Sequence, residues 1–73
     1  MSDYHINIFH SDEDEGWIAD IPDLEGCSAF GESPELALQE VLTAKRLWLE
    51  SAKAEGAEIP APRFRPAIYQ AAS

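Results

Sequence analysis

Three short stretches near the start of the chain alternate apolar and polar residues. They span residues 4–10, 17–21 and 27–30. A period of two is typical of strands that bury one face. Because the segments between them are short, the pattern predicts a three-stranded antiparallel meander, with one apolar face in need of a cover. The positions predicted to point at that cover from the first two strands are Tyr4, Ile6, Ile8, Trp17, Ala19 and Ile21.

One segment carries the signals for both a chain reversal and a helix start. Pro22 fixes its own φ and lacks a backbone donor, while Gly26 can adopt a positive φ, so the chain should turn between them. Ser33 offers a hydroxyl to the free amides of a following helix, and Pro34 suits the first helical position. The segment therefore predicts a turn after the second strand and a helix after the third.

A long amphipathic helix is predicted to cover the sheet. Its apolar positions recur with helical spacing from Pro34 to about Glu55, and Gly56 is the expected left-handed residue after the last turn. The stripe predicted to lie on the strands consists of Ala37, Leu38, Val41, Ala44, Trp48 and Ala52, broadened by Leu42 and Leu49. Together with the meander, this helix predicts an α+β fold.

A second, smaller apolar strip lies outside this stripe and is a candidate subunit contact. Leu36 and Leu47 project together from the helix, well away from the residues that face the sheet. A helix of about 22 residues spans roughly 33 Å, whereas strands of about six residues span roughly 20 Å, so the turns around Trp48 should overhang the sheet. We therefore expect a homo-oligomer, either a dimer or a tetramer, with the two leucines in the contact and Trp48 either in the contact or in the core between sheet and helix.

Prolines dominate the sequence that follows the helix. Residues 57–62 suit an extended connector better than a helix or a central strand. We expect one domain over residues 1–62 and a C-terminal extension over residues 63–73. Residues 63–65 are a candidate for a short fourth strand at a sheet edge, and the tail at 67–73 either frays or docks on another subunit through Ile68 and Tyr69.

The excess of acidic over basic residues indicates what kind of partner the protein binds. The 73 residues include five Lys and Arg against 14 Asp and Glu, for a net charge of -9. Phosphate contacts need basic side chains, so direct DNA or RNA binding is not expected and a basic protein is the better partner. No signal segment or membrane-spanning run is present, and the lone Cys27 cannot form an internal disulfide, so we expect a soluble cytoplasmic protein.

Few residues suggest chemistry. Asp20, Asp23 and Glu25 lie close together in sequence, where they either face a partner or solvent, or serve as ligands in a metal-dependent nuclease. His5 and His10 fall on opposite strand faces and cannot act as a pair. The acidic run before Gly16 suits a solvated hairpin tip, and Cys27 suits a small core position. We therefore predict no catalytic residue, no cofactor and no metal site.

Several segments together resemble the HicB-like antitoxin family of bacterial type II toxin-antitoxin systems. The matching segments are a tyrosine-bearing first strand, an acidic hairpin with glycine before Trp17, Ile-Pro-Asp-Leu-Glu-Gly-Cys at 21–27, Gly-Glu-Ser-Pro-Glu-Leu-Ala at 31–37 and Ile-Pro-Ala-Pro at 59–62. The resemblance implies a partial ribonuclease H-like α+β fold without an active site. It also implies a short stand-alone antitoxin that binds a small basic mRNA-cleaving HicA toxin and masks the toxin's catalytic histidine.

The resemblance leads to one leading hypothesis about function and two alternatives. Many members of the family carry a C-terminal DNA-binding domain, and the present sequence contains no such segment, so direct operator binding is not expected. The leading hypothesis is a non-catalytic, oligomeric binding protein with Asp20, Asp23 and Glu25 as contacts to the basic partner. The alternatives are a structural or regulatory oligomer without a toxin partner, and a residual metal-dependent nuclease that uses the same three acids.

Overall fold

The computed structural model describes residues 3–63, which form a three-stranded sheet and one long helix. The strands are β1 (Asn7–Ser11), β2 (Gly16–Asp20) and β3 (Ser28–Gly31), and the helix is α1 (Pro34–Ala54). The strands lie in the order β1-β2-β3, and both pairs are antiparallel. The predicted α+β fold, a meander covered by a helix, is confirmed.

The first strand is shorter than its alternating pattern suggests. β1 starts at Asn7, which pairs with Asp20, the last residue of β2. The chain turns away immediately after Asp20, so none of the strands within residues 3–63 continues the ladder beside residues 4–6. Tyr4 and Ile6 nevertheless pack against the core, as their side of the alternation predicts.

The core lies between the sheet and the first two thirds of α1. Its members come from β2, from the turn and from one stripe of the helix: Ala19, Ile21, Leu24, Cys27, Ala37 and Val41. Leu38 and Leu42, which were predicted to lie on the sheet, are instead exposed. Successive helical residues are rotated by roughly 100°, so the helix that centres Ala37 and Val41 on the sheet turns these two leucines to its flank.

Both helix ends have the caps that the sequence predicts. The Ser33 hydroxyl accepts a hydrogen bond from the Leu36 amide at 3.1 Å. At the other end Gly56 has a φ of +73°, and the Ala57 amide donates to the Ala52 carbonyl at 2.8 Å. These bonds satisfy backbone groups that an uncapped helix would leave unpaired.

The connector after α1 returns to the end of the sheet where β2 stops. Residues 57–63 have no regular secondary structure. The Tyr4 hydroxyl donates a hydrogen bond to the Pro60 carbonyl, and the Arg63 amide donates to the Asp23 carboxylate at 2.9 Å. The connector is thus tied to both the N-terminal segment and the turn. Within residues 3–63, the structure contains no helix with an apolar stretch of membrane-spanning length.

The start of α1 comes very close to the last residue of β3. A Cβ atom placed on Gly31 would lie 2.2 Å from the Ala37 nitrogen and 2.6 Å from the Leu36 carbonyl carbon. Both are backbone atoms of the helix, so no side-chain rotation relieves the clash. The absence of a side chain at residue 31 therefore sets how closely the helix approaches the sheet.

Replacing Gly31 by Ala tests this close approach. We expect Gly31→Ala to lower the free energy of unfolding by about 2 to 4 kcal/mol, because the helix must move away from the core it covers. Urea denaturation measures the loss. Ser28→Ala, an exposed substitution in the same strand, should change stability by no more than about 0.5 kcal/mol. Equal stability of the two variants would contradict the argument.

Candidate functional site

The segment from Asp20 to Gly26, which we call the acidic turn, is held rigidly by its own backbone. The Ile21 amide donates to the Cys27 carbonyl at 3.0 Å, the Leu24 amide donates to the Ile21 carbonyl at 3.0 Å, and the Cys27 amide donates to the Leu24 carbonyl at 2.9 Å. Gly26 has the predicted positive φ of +79°. The side chains of Ile21 and Leu24 are buried, so the turn is fixed from the inside.

The structure brings together two of the three predicted contact residues. Asp20, at the end of β2, and Glu25 line the same shallow depression, whose floor includes Ile18 and Ser28. Asp23 lies instead beside the connector, where its carboxylate accepts the Arg63 amide. Asp20 and Glu25 therefore form one negatively charged surface, and Asp23 has a structural contact of its own.

Helix α1 supports the acidic turn through Trp48. The indole Nε1 donates a hydrogen bond to the Glu25 carbonyl at 2.9 Å, and the ring packs against the core. The sequence predicts that the turns around Trp48 overhang the sheet, but the acidic turn lies beside them and extends the covered layer. Trp48 thus holds the backbone of Glu25 in place.

The other predicted oligomer contacts are placed differently. Leu36 and Leu47 are exposed by 45% and 53% on α1. Ile68 and Tyr69 lie outside the described residues. The two leucines are therefore available for a subunit contact, which stays a prediction.

The two histidines do not combine into a site. The ring of His5 lies 2.6 Å from the side-chain oxygen of Asn7. His10 packs edge-on against Trp17, with ring centres 5.1 Å apart, and its Nδ1 lies 3.1 Å from a carboxylate oxygen of Asp12. Each histidine therefore has its own neighbours, in agreement with the prediction that they do not act as a pair.

The acidic side chains do not converge as a metal site would require. In the part of the chain that the structure describes, no group of three or more His, Cys, Asp or Glu side chains is placed to hold an ion. A metal-dependent nuclease needs such a group to position its ion. The three acids of the turn are divided between two surfaces and do not supply one.

Cys27 is buried in the core below the acidic turn. Burial raises the pKa of its thiol, the nearby charge of Lys45 opposes this rise, and the charge of Asp20 adds to it. The nucleophilic form of cysteine is the thiolate, which a raised pKa disfavours near neutral pH. Its position thus agrees with the predicted role as a core residue.

A feature that the sequence prediction did not use is a row of apolar side chains on the face of the sheet opposite α1. Phe9 lies opposite Ile18, and Ile18 lies opposite Phe30. These residues alternate with the core positions of their strands, so the same period of two could have identified them once the register was known. We call this row the outer sheet face.

The protonation of the Cys27 thiol provides a test of the packing of the core below the acidic turn. Because its pKa is raised above the ordinary value of 9.0 in the folded chain, the protonated thiol contributes stability below pH 9. That contribution should be lost as the pH rises through 9 and beyond, and Cys27→Ala should remove this part of the pH dependence. Urea denaturation across the pH range measures both. A thiol that reacts with iodoacetamide at pH 8 as fast in the folded chain as in the unfolded one would contradict the burial argument.

Comparison with known proteins places these features in a family. Residues 4–71 match the family described as "HicB_like antitoxin of bacterial toxin-antitoxin system". A protein of Synechocystis sp. named UPF0150 protein ssl0259 is 44% identical over 45 residues, which cover 62% of this chain and 62% of that relative. The match thus spans less than two thirds of the relative's length. No solved structure matches the chain. Since the family match covers nearly all of the sequence, the chain belongs to the HicB-like antitoxins of bacterial toxin-antitoxin systems.

Proposed function

We propose that this protein binds and neutralises a small basic mRNA-cleaving toxin of the HicA type. Family membership supports an antitoxin, and the observation that carries the finer proposal is the distribution of charge. Residues 1–44 contain eleven of the 14 acidic residues and none of the five Lys and Arg. The whole sheet and the first half of α1 belong to this part of the chain. A cationic protein surface is the partner that such a field attracts.

The acidic turn supplies the contact in this proposal. Asp20 and Glu25 face the same surface, and the backbone of the turn is held by its own hydrogen bonds and by Trp48. Because the backbone that carries these two residues is already fixed, only their side chains lose conformational freedom when they meet an Arg or Lys side chain. Complementary charge mainly raises the association rate and selects the partner. Neutralisation then follows because the bound protein occupies the toxin's basic RNA-binding surface. Because the toxin's substrate is mRNA, the binding takes place in the cytoplasm.

Two observations favour this function over the nuclease alternative. The acids of the turn face two different surfaces, and Asp23 accepts a backbone hydrogen bond from Arg63. A concentration of negative charge without counterbalancing cations also repels the phosphates of a nucleic-acid substrate. Both observations agree with a protein that binds the toxin and does not bind or cleave the RNA.

Binding to the small basic protein encoded next to this chain tests the proposal. We expect the full chain to bind it and to suppress its RNA cleavage, with an affinity that falls as salt increases. The double variant Asp20→Asn, Glu25→Gln should weaken binding by about three- to tenfold, mainly through slower association, because exposed ion pairs contribute up to about 1 kcal/mol each. Surface plasmon resonance measures the two rates.

The matched control removes the same charge from α1, which covers the other face of the sheet. Glu35→Gln with Glu40→Gln, at two exposed positions, should reduce the association rate less than the variant in the acidic turn does, although both lower the net negative charge by two. Failure of the wild-type chain to bind the neighbouring basic protein at low salt would refute the proposed function. Equal effects of the two double variants would refute the role of the acidic turn and leave the proposed function intact.

We also propose that the protein is a homo-oligomer that uses the exposed strip on α1. The double variant Leu36→Gln, Leu47→Gln should shift sedimentation toward the monomer, because it removes two apolar side chains from a helix surface while keeping good helix formers. Circular dichroism should show an unchanged helix content. An assembly of the same size in the variant and the wild type would contradict the proposed contact.

A further inference from the structure

We propose that the outer sheet face is the main apolar contact for the partner, and that the matching partner segment has aliphatic side chains in its middle and Lys or Arg at both ends. This inference deepens the proposed function and rests on it. It assigns the hydrophobic part of the interface to Phe9, Ile18 and Phe30, and the charged part to the carboxylates at either end of the same face.

The three side chains form a continuous row across the sheet. The strand register places Phe9, Ile18 and Phe30 directly opposite one another on three neighbouring strands. Directly opposed side chains on one face have Cβ atoms about 4.5 to 5.5 Å apart and touch. Phe9 and Phe30 remain exposed by 49% and 43%. Since α1 occupies the opposite face, no element between residues 3 and 63 covers this row.

Gly16 makes room for the ring of Phe30 in this row. A Cβ atom placed on Gly16 would lie 2.3 Å from the Cζ atom of Phe30, so the phenyl ring rests on the bare backbone of β2. An aromatic side chain that is already packed on one side loses little further freedom when a partner covers the other side. Large rigid aromatic residues of this kind are enriched among the residues that dominate binding energy.

Carboxylates lie on both sides of the row, at the two ends of the strands. Asp20 and Glu25 lie where β2 meets the acidic turn, and Asp12, Glu13, Asp14 and Glu15 lie at the hairpin between β1 and β2. An apolar centre with a polar rim is the usual anatomy of a protein interface. Strands of about five residues span roughly 17 Å, so the partner's basic side chains should be separated by about that distance.

The charge distribution favours a cationic partner over a second copy of this chain. If two copies joined through the outer sheet face, each would present the part of the chain that has eleven acids and no Lys or Arg. Like charges brought together across an interface oppose association. A basic segment instead neutralises both flanks while it covers the aromatic rings. The outer sheet face therefore suits a partner of opposite charge.

The test compares apolar truncations on the two sides of the protein. Phe9→Thr and Phe30→Thr replace one residue that favours strands by another, and Leu42→Gln removes a comparably exposed apolar side chain (41%) from α1. We expect each Phe variant to bind the neighbouring basic protein about tenfold more weakly, with most of the change in the dissociation rate. Leu42→Gln should bind like the wild type. Circular dichroism and thermal denaturation verify that each variant is folded.

Salt dependence separates this contact from the acidic turn. Removing a phenyl ring should lower the affinity by the same factor at low and high salt, whereas removing Asp20 and Glu25 should flatten the salt dependence. Wild-type affinity in both folded Phe variants would overturn the inference and leave the proposed function intact. Dissociation of a homo-oligomer by Phe9→Thr would also overturn it, because the row would then be covered by a second copy.

A synthetic peptide distinguishes failure of the surface from failure of the proposed function. If the neighbouring basic protein does not bind the wild-type chain, the proposed function fails, and a peptide with Leu in its middle and Lys at both ends then tests the surface alone. Amide NMR shifts at Phe9, Ile18 and Phe30 that are lost in Phe9→Thr, and absent with a Leu and Glu peptide, support the surface. Shifts located elsewhere, or none, overturn it.

Discussion

One helix can cover only one face of a three-stranded sheet, and most of this molecule follows from that constraint. The helix comes close to the sheet because Gly31 has no side chain and because two residues of the core between the layers, Ala19 and Ala37, are small. The core is therefore thin and is confined to one side. The second face keeps its apolar row, and both flanks of the helix keep exposed leucines. A chain of this size buries only about 60% of the surface that its unfolded form exposes, so apolar side chains remain outside the core.

Local signals were sufficient to predict the fold, because each one acts over a few residues. Ser33 and Gly56 cap the helix as expected, and Gly26 has the positive φ that the turn requires. The sequence did not predict the exact rotation of the helix about its axis on the sheet. Leu38 belongs to the apolar stripe by spacing, but the close packing at Ala37 determines which part of the stripe faces inward.

The candidate site was predicted only in part, for a related reason. Proximity in sequence grouped Asp20, Asp23 and Glu25, but a tight turn sends neighbouring side chains in different directions. The contact between Asp23 and Arg63 joins residues far apart in the chain, and local pattern carries no signal for it. The outer sheet face likewise depends on register, since Phe9, Ile18 and Phe30 meet only when all three strands are aligned. Long-range pairing is thus where the structure adds most to the sequence.

The hydrogen bond between the Trp48 indole and the Glu25 carbonyl has a practical consequence for experiments. Indole fluorescence responds to the polarity and hydrogen bonding around the ring, and this ring is attached to the backbone of the acidic turn. Trp17 lies away from that turn, at the end of the sheet where β2 begins, next to His10. The chain therefore carries two natural optical reporters, one for each end of the sheet, and replacing either tryptophan by Phe would let the emission of the other be read alone.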